Sequence, residues 1–262
     1  MIGIFDSGLG GLTALKELHR LLPAEPLIYF GDTGRVPYGT RSAATIVKYA
    51  KQDAAFLLSQ GVDAILVACG TVSTTALKEL RESLPIPVIG VVDPTAEAAV
   101  KATKNGRIAV IGTPATIRTG AFEAALRNRR DDIAVISLPC PLFVPLVEAG
   151  FTAPDCEITR LTCEHYLASI RESGADTLIL GCTHYPLLAP IIASVLPGVT
   201  LISSGAETAK ATAALRSQSP RDQEAPVRYY VSDDPSLFTA SAGAFLGYDL
   251  SGEVEKIDIE RY

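Results

Sequence analysis

The chain has 262 residues, which allows one large domain or two smaller ones, and 48% are hydrophobic, enough to bury a sizeable core. The formal net charge of −6 leaves no basic excess to neutralise phosphates, which argues against nucleic acid as a partner; a small anion needs only local positive potential. Five cysteines, at 69, 140, 156, 163 and 182, are odd in number and form no Cys-x-x-Cys pair, which argues against a disulfide framework and for reduced thiols in a cytoplasmic protein.

The opening Met1-Ile2-Gly3-Ile4-Phe5-Asp6 has no basic region and no long apolar stretch, so no signal peptide is expected. No run approaches the roughly 20 apolar residues of a membrane span. The pattern predicts a strand over 2–5, a glycine-rich turn, a helix over 12–21 and a strand over 27–30. A helix over 42–60 follows from the spacing of Val47, Ala50, Ala54, Leu57 and Leu58, with Gly61 as its stop. Next come a buried strand over 64–68, a helix over 74–82 and a strand over 87–90. The alternation then restarts, with strands over 107–111, 133–138, 177–181 and 200–202 and helices over 115–127, 157–172 and 187–195. Residues 217–226 are polar, hold two prolines and read as a surface loop. Strands over 227–231 and 254–259 and a helix over 236–245 end the chain. Repeated βα units of this kind predict parallel sheets covered by helices.

One internal similarity stands out. Gly61-Val62-Asp63-Ala64-Ile65-Leu66-Val67-Ala68-Cys69 resembles Gly174-Ala175-Asp176-Thr177-Leu178-Ile179-Leu180-Gly181-Cys182, with no gap. Residues 2–7 and 108–113 match in the same sense, each a strand followed by a polar turn. Two similar α/β halves are therefore expected, each of typical domain size.

In open parallel sheets, ligands bind at the carboxyl ends of strands. Two halves facing each other would place Cys69 and Cys182 on opposite walls of one cleft. Racemising an α-carbon requires removing a proton from one face and returning one to the other, which two opposed thiols can do without turning the substrate over. A single cysteine at a strand end is ordinarily packing. Matched positions in two halves, each followed by a threonine-bearing turn (Cys69-Gly70-Thr71 and Cys182-Thr183-His184), favour chemistry instead.

Other strand ends carry polar residues. The glycines of Asp6-Ser7-Gly8-Leu9-Gly10-Gly11 free backbone N–H groups to face an anion, and Asp6 or Ser7 can also cap the helix that follows. The same stretch half-matches a dinucleotide fingerprint, with Thr13 where the third glycine belongs and Asp32 as a ribose-binding acid, so an NAD(P)-dependent oxidoreductase is a rival reading. Tyr38 and the Tyr38-Gly39 backbone are candidates for substrate contact. Arg35 and Arg41 are as readily solvated or paired to carboxylates as bound to ligand. His184 could assist deprotonation of Cys182, and Glu148 could support it. Cys182 and His184 could also be two zinc ligands, but no spacing supplies the others. No motif points to pyridoxal phosphate.

At these residues the chain resembles the glutamate racemases. The resemblance runs along nearly the whole chain and rests on Phe5-Asp6-Ser7-Gly8-Leu9-Gly10-Gly11, Gly31-Asp32-Thr33, Arg35-Val36-Pro37-Tyr38-Gly39, Cys140-Pro141-Leu142-Phe143-Val144-Pro145-Leu146-Val147-Glu148 and Gly181-Cys182-Thr183-His184-Tyr185-Pro186-Leu187-Leu188. It implies two similar open parallel-sheet α/β domains related by a pseudo-twofold, with the active site between them. The first would comprise 1–93 with 207–262 and carry Cys69; the second would comprise 94–206 and carry Cys182. It implies cofactor-independent interconversion of L- and D-glutamate, supplying D-glutamate for peptidoglycan, in a cytoplasmic enzyme for which a homodimer is one assembly. By position, Cys69 and Cys182 are the proton donor/acceptor pair, with Asp6, His184 and Glu148 as auxiliary acid/base groups. Asp6, Ser7, Tyr38, Gly39, Gly70, Thr71, Thr183 and His184 would line the substrate.

The chain departs from the family at Cys69-Gly70-Thr71, where Cys-Asn-Thr is the pattern, and at Ser203-Ser204, where Asp-Ser is common. Losing the Asn amide removes a hydrogen-bonding group worth about 0.5–3 kcal/mol. Water filling the gap, an impaired enzyme and a deliberately changed residue are three open explanations. An aspartate racemase of the same superfamily, or a non-catalytic binding protein for acidic amino acids, are alternatives to glutamate racemisation.

Overall fold

The computed structural model describes residues 1–216, 224–250 and 253–262. The expected loop over 217–226 falls mostly on residues 217–223, outside that description. Among the described residues ten strands form two sheets, and every pairing in both is parallel. The first sheet contains β1 (Ile2–Asp6), β2 (Leu27–Gly31), β3 (Ala64–Val67), β4 (Val88–Gly90), β9 (Val227–Val231) and β10 (Val254–Lys256). The second contains β5 (Arg107–Gly112), β6 (Ala134–Pro139), β7 (Thr177–Leu180) and β8 (Thr200–Ser203).

The strand orders repeat. The second sheet runs β6-β5-β7-β8, and the first runs β10-β9-β2-β1-β3-β4, whose last four strands have the same order. The internal similarity seen in sequence thus corresponds to equivalent strands: β3 and β7 precede the two cysteines, and β1 and β5 lie beside them. In each sheet the chain crosses to the other side between the first and third strands of the unit. That reversal opens a crevice at the strand ends.

The central strands are continuous apolar runs because both faces are covered. Every residue of β1, β2, β3 and β7 is buried. One apolar core runs from Ile2, Ile4 and Leu66 of the first sheet to Ile111, Leu178 and Leu180 of the second. Helix Leu12–Leu21 packs against helix Ser204–Ala213, which leaves the second sheet. There Gly205 brings the backbones together, since a Cβ on it would lie 3.3 Å from that of Ala14.

Several expected elements differ. The helix predicted over 115–127 is two, Pro114–Arg118 and Ala121–Arg127, split where Gly120 takes φ +65°. The helix predicted over 74–82 starts earlier, as Gly70–Thr75 and Leu77–Ser83. Helices Val92–Ala102, Phe143–Glu148 and Ser204–Ala213 were not foreseen. The first carries Pro94 in its opening turn, where the missing N–H costs nothing, and the second is too short to show a period. The strand predicted over 254–259 stops at Lys256, and Asp258 caps a 3-10 turn, Ile259–Arg261.

Candidate active site

The two cysteines open into the same cavity, of about 330 Å³. Of the residues singled out from sequence, Ser7, Tyr38, Gly39, Cys69, Gly70, Thr71, Glu148, Cys182, Thr183 and His184 line it. Asp6 sits behind this lining, fully buried at the end of β1. No Lys or Arg is among the lining residues, so His184 is the group there that can carry positive charge.

Cys69 caps the amino end of helix Gly70–Thr75, and its thiol donates to Ser7 Oγ at 3.6 Å. Burial, and then the charge of Asp6, push this thiol up to about 12. Cys69 is therefore a thiol at neutral pH. Asp6 is itself raised by burial, against the pull of His184 and its hydrogen bonds. Its carboxylate accepts from Gly8 N at 3.0 Å and from the Thr183 hydroxyl at 3.4 Å. The second bond crosses from one half to the other.

The Cys182 side is built differently. His184 Nδ1 is 3.9 Å from Cys182 Sγ, and His184 Nε2 is 3.2 Å from Glu148 Oε1. Phe245 meets the imidazole edge-on, with ring centroids 5.3 Å apart. Burial alone would favour neutral imidazole. Hydrogen bonding to Cys182 and Glu148, with the negative charge of Cys182 and Asp6, outweighs it and lifts His184 to about 10. His184 is thus an imidazolium at neutral pH, with one N–H toward Cys182 and the other toward Glu148. One wall offers a sulfur beside a carboxylate, the other a sulfur beside a cation.

Thr113 and Thr116 were not anticipated. Their hydroxyls lie 3.0 Å apart, and Thr113 Oγ1 is 3.0 Å from Thr71 Oγ1 of the other half. With Thr71 Oγ1 and Thr116 Oγ1 3.5 Å apart, the three hydroxyls form a cluster at the cavity wall. A signal was present: Thr113 follows β5 as Ser7 follows β1.

Tyr38 lines the cavity with its hydroxyl turned away, bonded to Asp32 and, at 3.2 Å, to Asp53. Arg35 closes this buried network. Its guanidinium reaches Asp32 at 2.6 Å, Asp53 at 2.8 Å and Gln52 at 2.6 Å, and lies over the Tyr49 ring. Arg35 is thus paired to carboxylates, while Arg41 is exposed. Asp32 also accepts from Ser232 at 2.7 Å, so its oxygens are engaged and unavailable to a ribose. This removes the main support for the oxidoreductase reading. Gly10 likewise serves contact between the halves: a Cβ there would overlap the Thr183 hydroxyl and lie 2.5 Å from His184 Nδ1.

A Cβ on Gly70 would overlap the Gly181 carbonyl oxygen, so backbone of the other half lies where a side chain at 70 would begin. Among the described residues no group of three or more His, Cys, Asp or Glu is placed to hold a metal ion, and no helix is long and apolar enough to cross a membrane.

Known proteins with this arrangement agree on a family. The model of the Asp/Glu/Hydantoin racemase family matches residues 2–212. A glutamate racemase from Geobacter metallireducens is 45% identical over 99% of this chain and 97% of its own length. A glutamate racemase from Bacillus anthracis shares the fold with a TM-score of 0.92 at 38% identity, covering 98% of this chain and 97% of its own. Another, from Francisella tularensis in complex with D-glutamate, has a TM-score of 0.90 at 38% identity, covering 100% and 98%. These relatives are glutamate racemases, and the chain belongs to the Asp/Glu/Hydantoin racemase family.

Proposed function

We propose that the chain interconverts L- and D-glutamate by direct proton transfer between Cys69, Cys182 and the α-carbon. The observation that carries this reading is that thiols from equivalent strands of two halves enter one cavity, each with its own polar partner. Glutamate racemases of near-identical length supply the substrate.

Glutamate would lie with its carboxylates on backbone N–H groups of the strand-end turns and on the hydroxyls of Thr71, Thr113, Thr116 and Thr183. One sulfur, as thiolate, removes the α-proton. The negative charge that develops on the α-carbon and carboxylate is spread over these fixed donors. The other sulfur, as thiol, delivers its proton to the opposite face and becomes the thiolate, so the proton count is unchanged. Asp6 acts on Cys69, and His184 with Glu148 acts on Cys182.

The division into 1–93 with 207–262 and 94–206 is supported by β9 and β10 joining the first sheet. The same reading carries a supply role for peptidoglycan, a cytoplasmic location and a homodimer, the last to be checked by light scattering. The test is α-proton exchange of L- and D-glutamate in D2O, followed by NMR beside circular dichroism, with aspartate as competitor. Deuterium entering as optical activity disappears is the expected result. A folded protein that binds glutamate without exchange overturns the reading in favour of a binding protein, and faster turnover of aspartate reassigns the substrate.

A further inference from the structure

We infer that the Thr13 hydroxyl ties the Cys182-Thr183-His184 turn to the first half of the molecule, and so positions Cys182 and His184 against the wall that carries Cys69. The inference rests on the racemase reading above, in which both walls act on one α-carbon. Thr13 stands where a dinucleotide fingerprint would have its third glycine. It lies in the first turn of helix Leu12–Leu21 and is not part of the cavity lining. Its hydroxyl instead donates across the halves, to Thr183 O at 3.1 Å.

The need for this donor arises in the other half. Around His184 the N–H groups donate three residues back: Tyr185 N to Cys182 O at 3.1 Å, and Leu187 N to His184 O at 3.1 Å. The bond between these two would run from residue 186 to Thr183 O, but residue 186 is proline and has no N–H. Thr183 is buried, so its carbonyl needs a partner from elsewhere. Among the described residues the donor that reaches it is the Thr13 hydroxyl. Gly10 O also lies 2.8 Å from that hydroxyl, yet it already accepts from Thr13 N at 3.1 Å. Gly10 therefore does not need the single hydroxyl proton, and Thr183 does. Thr183 is gripped a second time, through its own hydroxyl on Asp6 at 3.4 Å. Thr13 and Asp6 of the first half thus hold the main chain and the side chain of the residue between Cys182 and His184. A shift of that residue carries both the sulfur and the imidazole away from the facing wall.

The test compares wild type with Thr13→Val, which keeps the branched shape and loses the proton, and with Thr13→Ser, which keeps the proton. Should Thr13→Val not fold, Thr13→Ala removes the same proton without filling its space and is read by the same criteria. Racemisation of glutamate is followed by circular dichroism. In Thr13→Val kcat should fall about tenfold to a hundredfold, as a small misplacement of reacting groups produces. KM should stay within about threefold, because Thr13 does not touch the cavity, and Thr13→Ser should return kcat to within about threefold of wild type. A second readout needs no activity: amide hydrogen exchange over residues 180–188, by mass spectrometry, should run about fivefold faster in Thr13→Val, the effect of one lost hydrogen bond. Pro186→Ala in the Thr13→Val background gives Thr183 a donor from its own half, so it should recover stability to urea but not kcat. Unchanged kcat or unchanged exchange in Thr13→Val, recovery of kcat by Pro186→Ala, or a serine variant as slow as the valine one overturns the inference. Wild type that does not racemise glutamate, but whose exchange still depends on the Thr13 hydroxyl, defeats the functional reading alone.

Discussion

His184 is held between Cys182 and Glu148, with Nδ1 3.9 Å from the sulfur and Nε2 3.2 Å from the carboxylate. The carboxylate is half exposed, so its effect on the ring is screened but not lost. Glu148→Gln keeps an acceptor but makes neutral one of the two hydrogen-bonding partners that raise His184. The imidazole should then titrate lower, and the alkaline limb of the kcat/KM profile should move to lower pH. The histidine resonances by NMR, measured beside the rate profile, check this; an unmoved limb would show that the pair is not coupled to turnover.

The same raised His184 makes a prediction about stability. Its folded value, about 10, lies above the ordinary 6.5. The imidazolium therefore contributes stability fully below about pH 6.5, and that contribution is lost as pH rises through about 10. Urea unfolding of wild type and His184→Asn from pH 6 to 10.5 should show a gap that narrows as pH rises. A gap that is constant, or widens, contradicts the assignment.

Cys69→Ala and Cys182→Ala should each abolish racemisation in both directions, by at least about 10²–10⁴-fold. Every inversion needs both sulfurs, whichever enantiomer enters. Full turnover by either variant would rule out the two-thiol mechanism. Exchange kinetics in D2O add detail, since the remaining thiol can still exchange the enantiomer whose proton faces it.

Arg35 serves the scaffold under Tyr38. Asp32 and Asp53 are fully buried and share its guanidinium. Arg35→Ala leaves both without their cation, and removing one partner of a buried ion pair costs about 3–5 kcal/mol. Denaturant titration should show that loss. Arg35→Lys should rescue little, because one ammonium cannot replace a planar fork spanning Asp32, Asp53 and Gln52.

Much of this was legible in the chain because parallel strands buried on both faces read as plain apolar runs. The repeat ending at Cys69 and Cys182 then led to matching strand orders. Short helices with proline or no full period, such as Phe143–Glu148, were not legible. The direction of the Tyr38 hydroxyl depends on Asp53, a helix away, and no local pattern encodes it. Gly70 shows the same limit: its departure from the family pattern was visible, but the carbonyl occupying its space comes from Gly181, far along the sequence. Thr113 was recoverable, since the repeat places it where Ser7 stands.

A cavity in which the hydroxyls of Ser7, Thr71, Thr113, Thr116 and Thr183 stand among apolar side chains, with no Lys or Arg on its lining, would hold a dicarboxylate without a fixed ion pair to either. For a reaction that must release either mirror image, tight holding of the bound state would slow both directions equally. The charge His184 supplies sits beside Cys182, so under the proposed mechanism electrostatic strength is concentrated where the proton moves. Such a catalyst is built for leaving as much as for binding, and its exchange rate should stay nearly level as salt is added, since few exposed cations are there to screen.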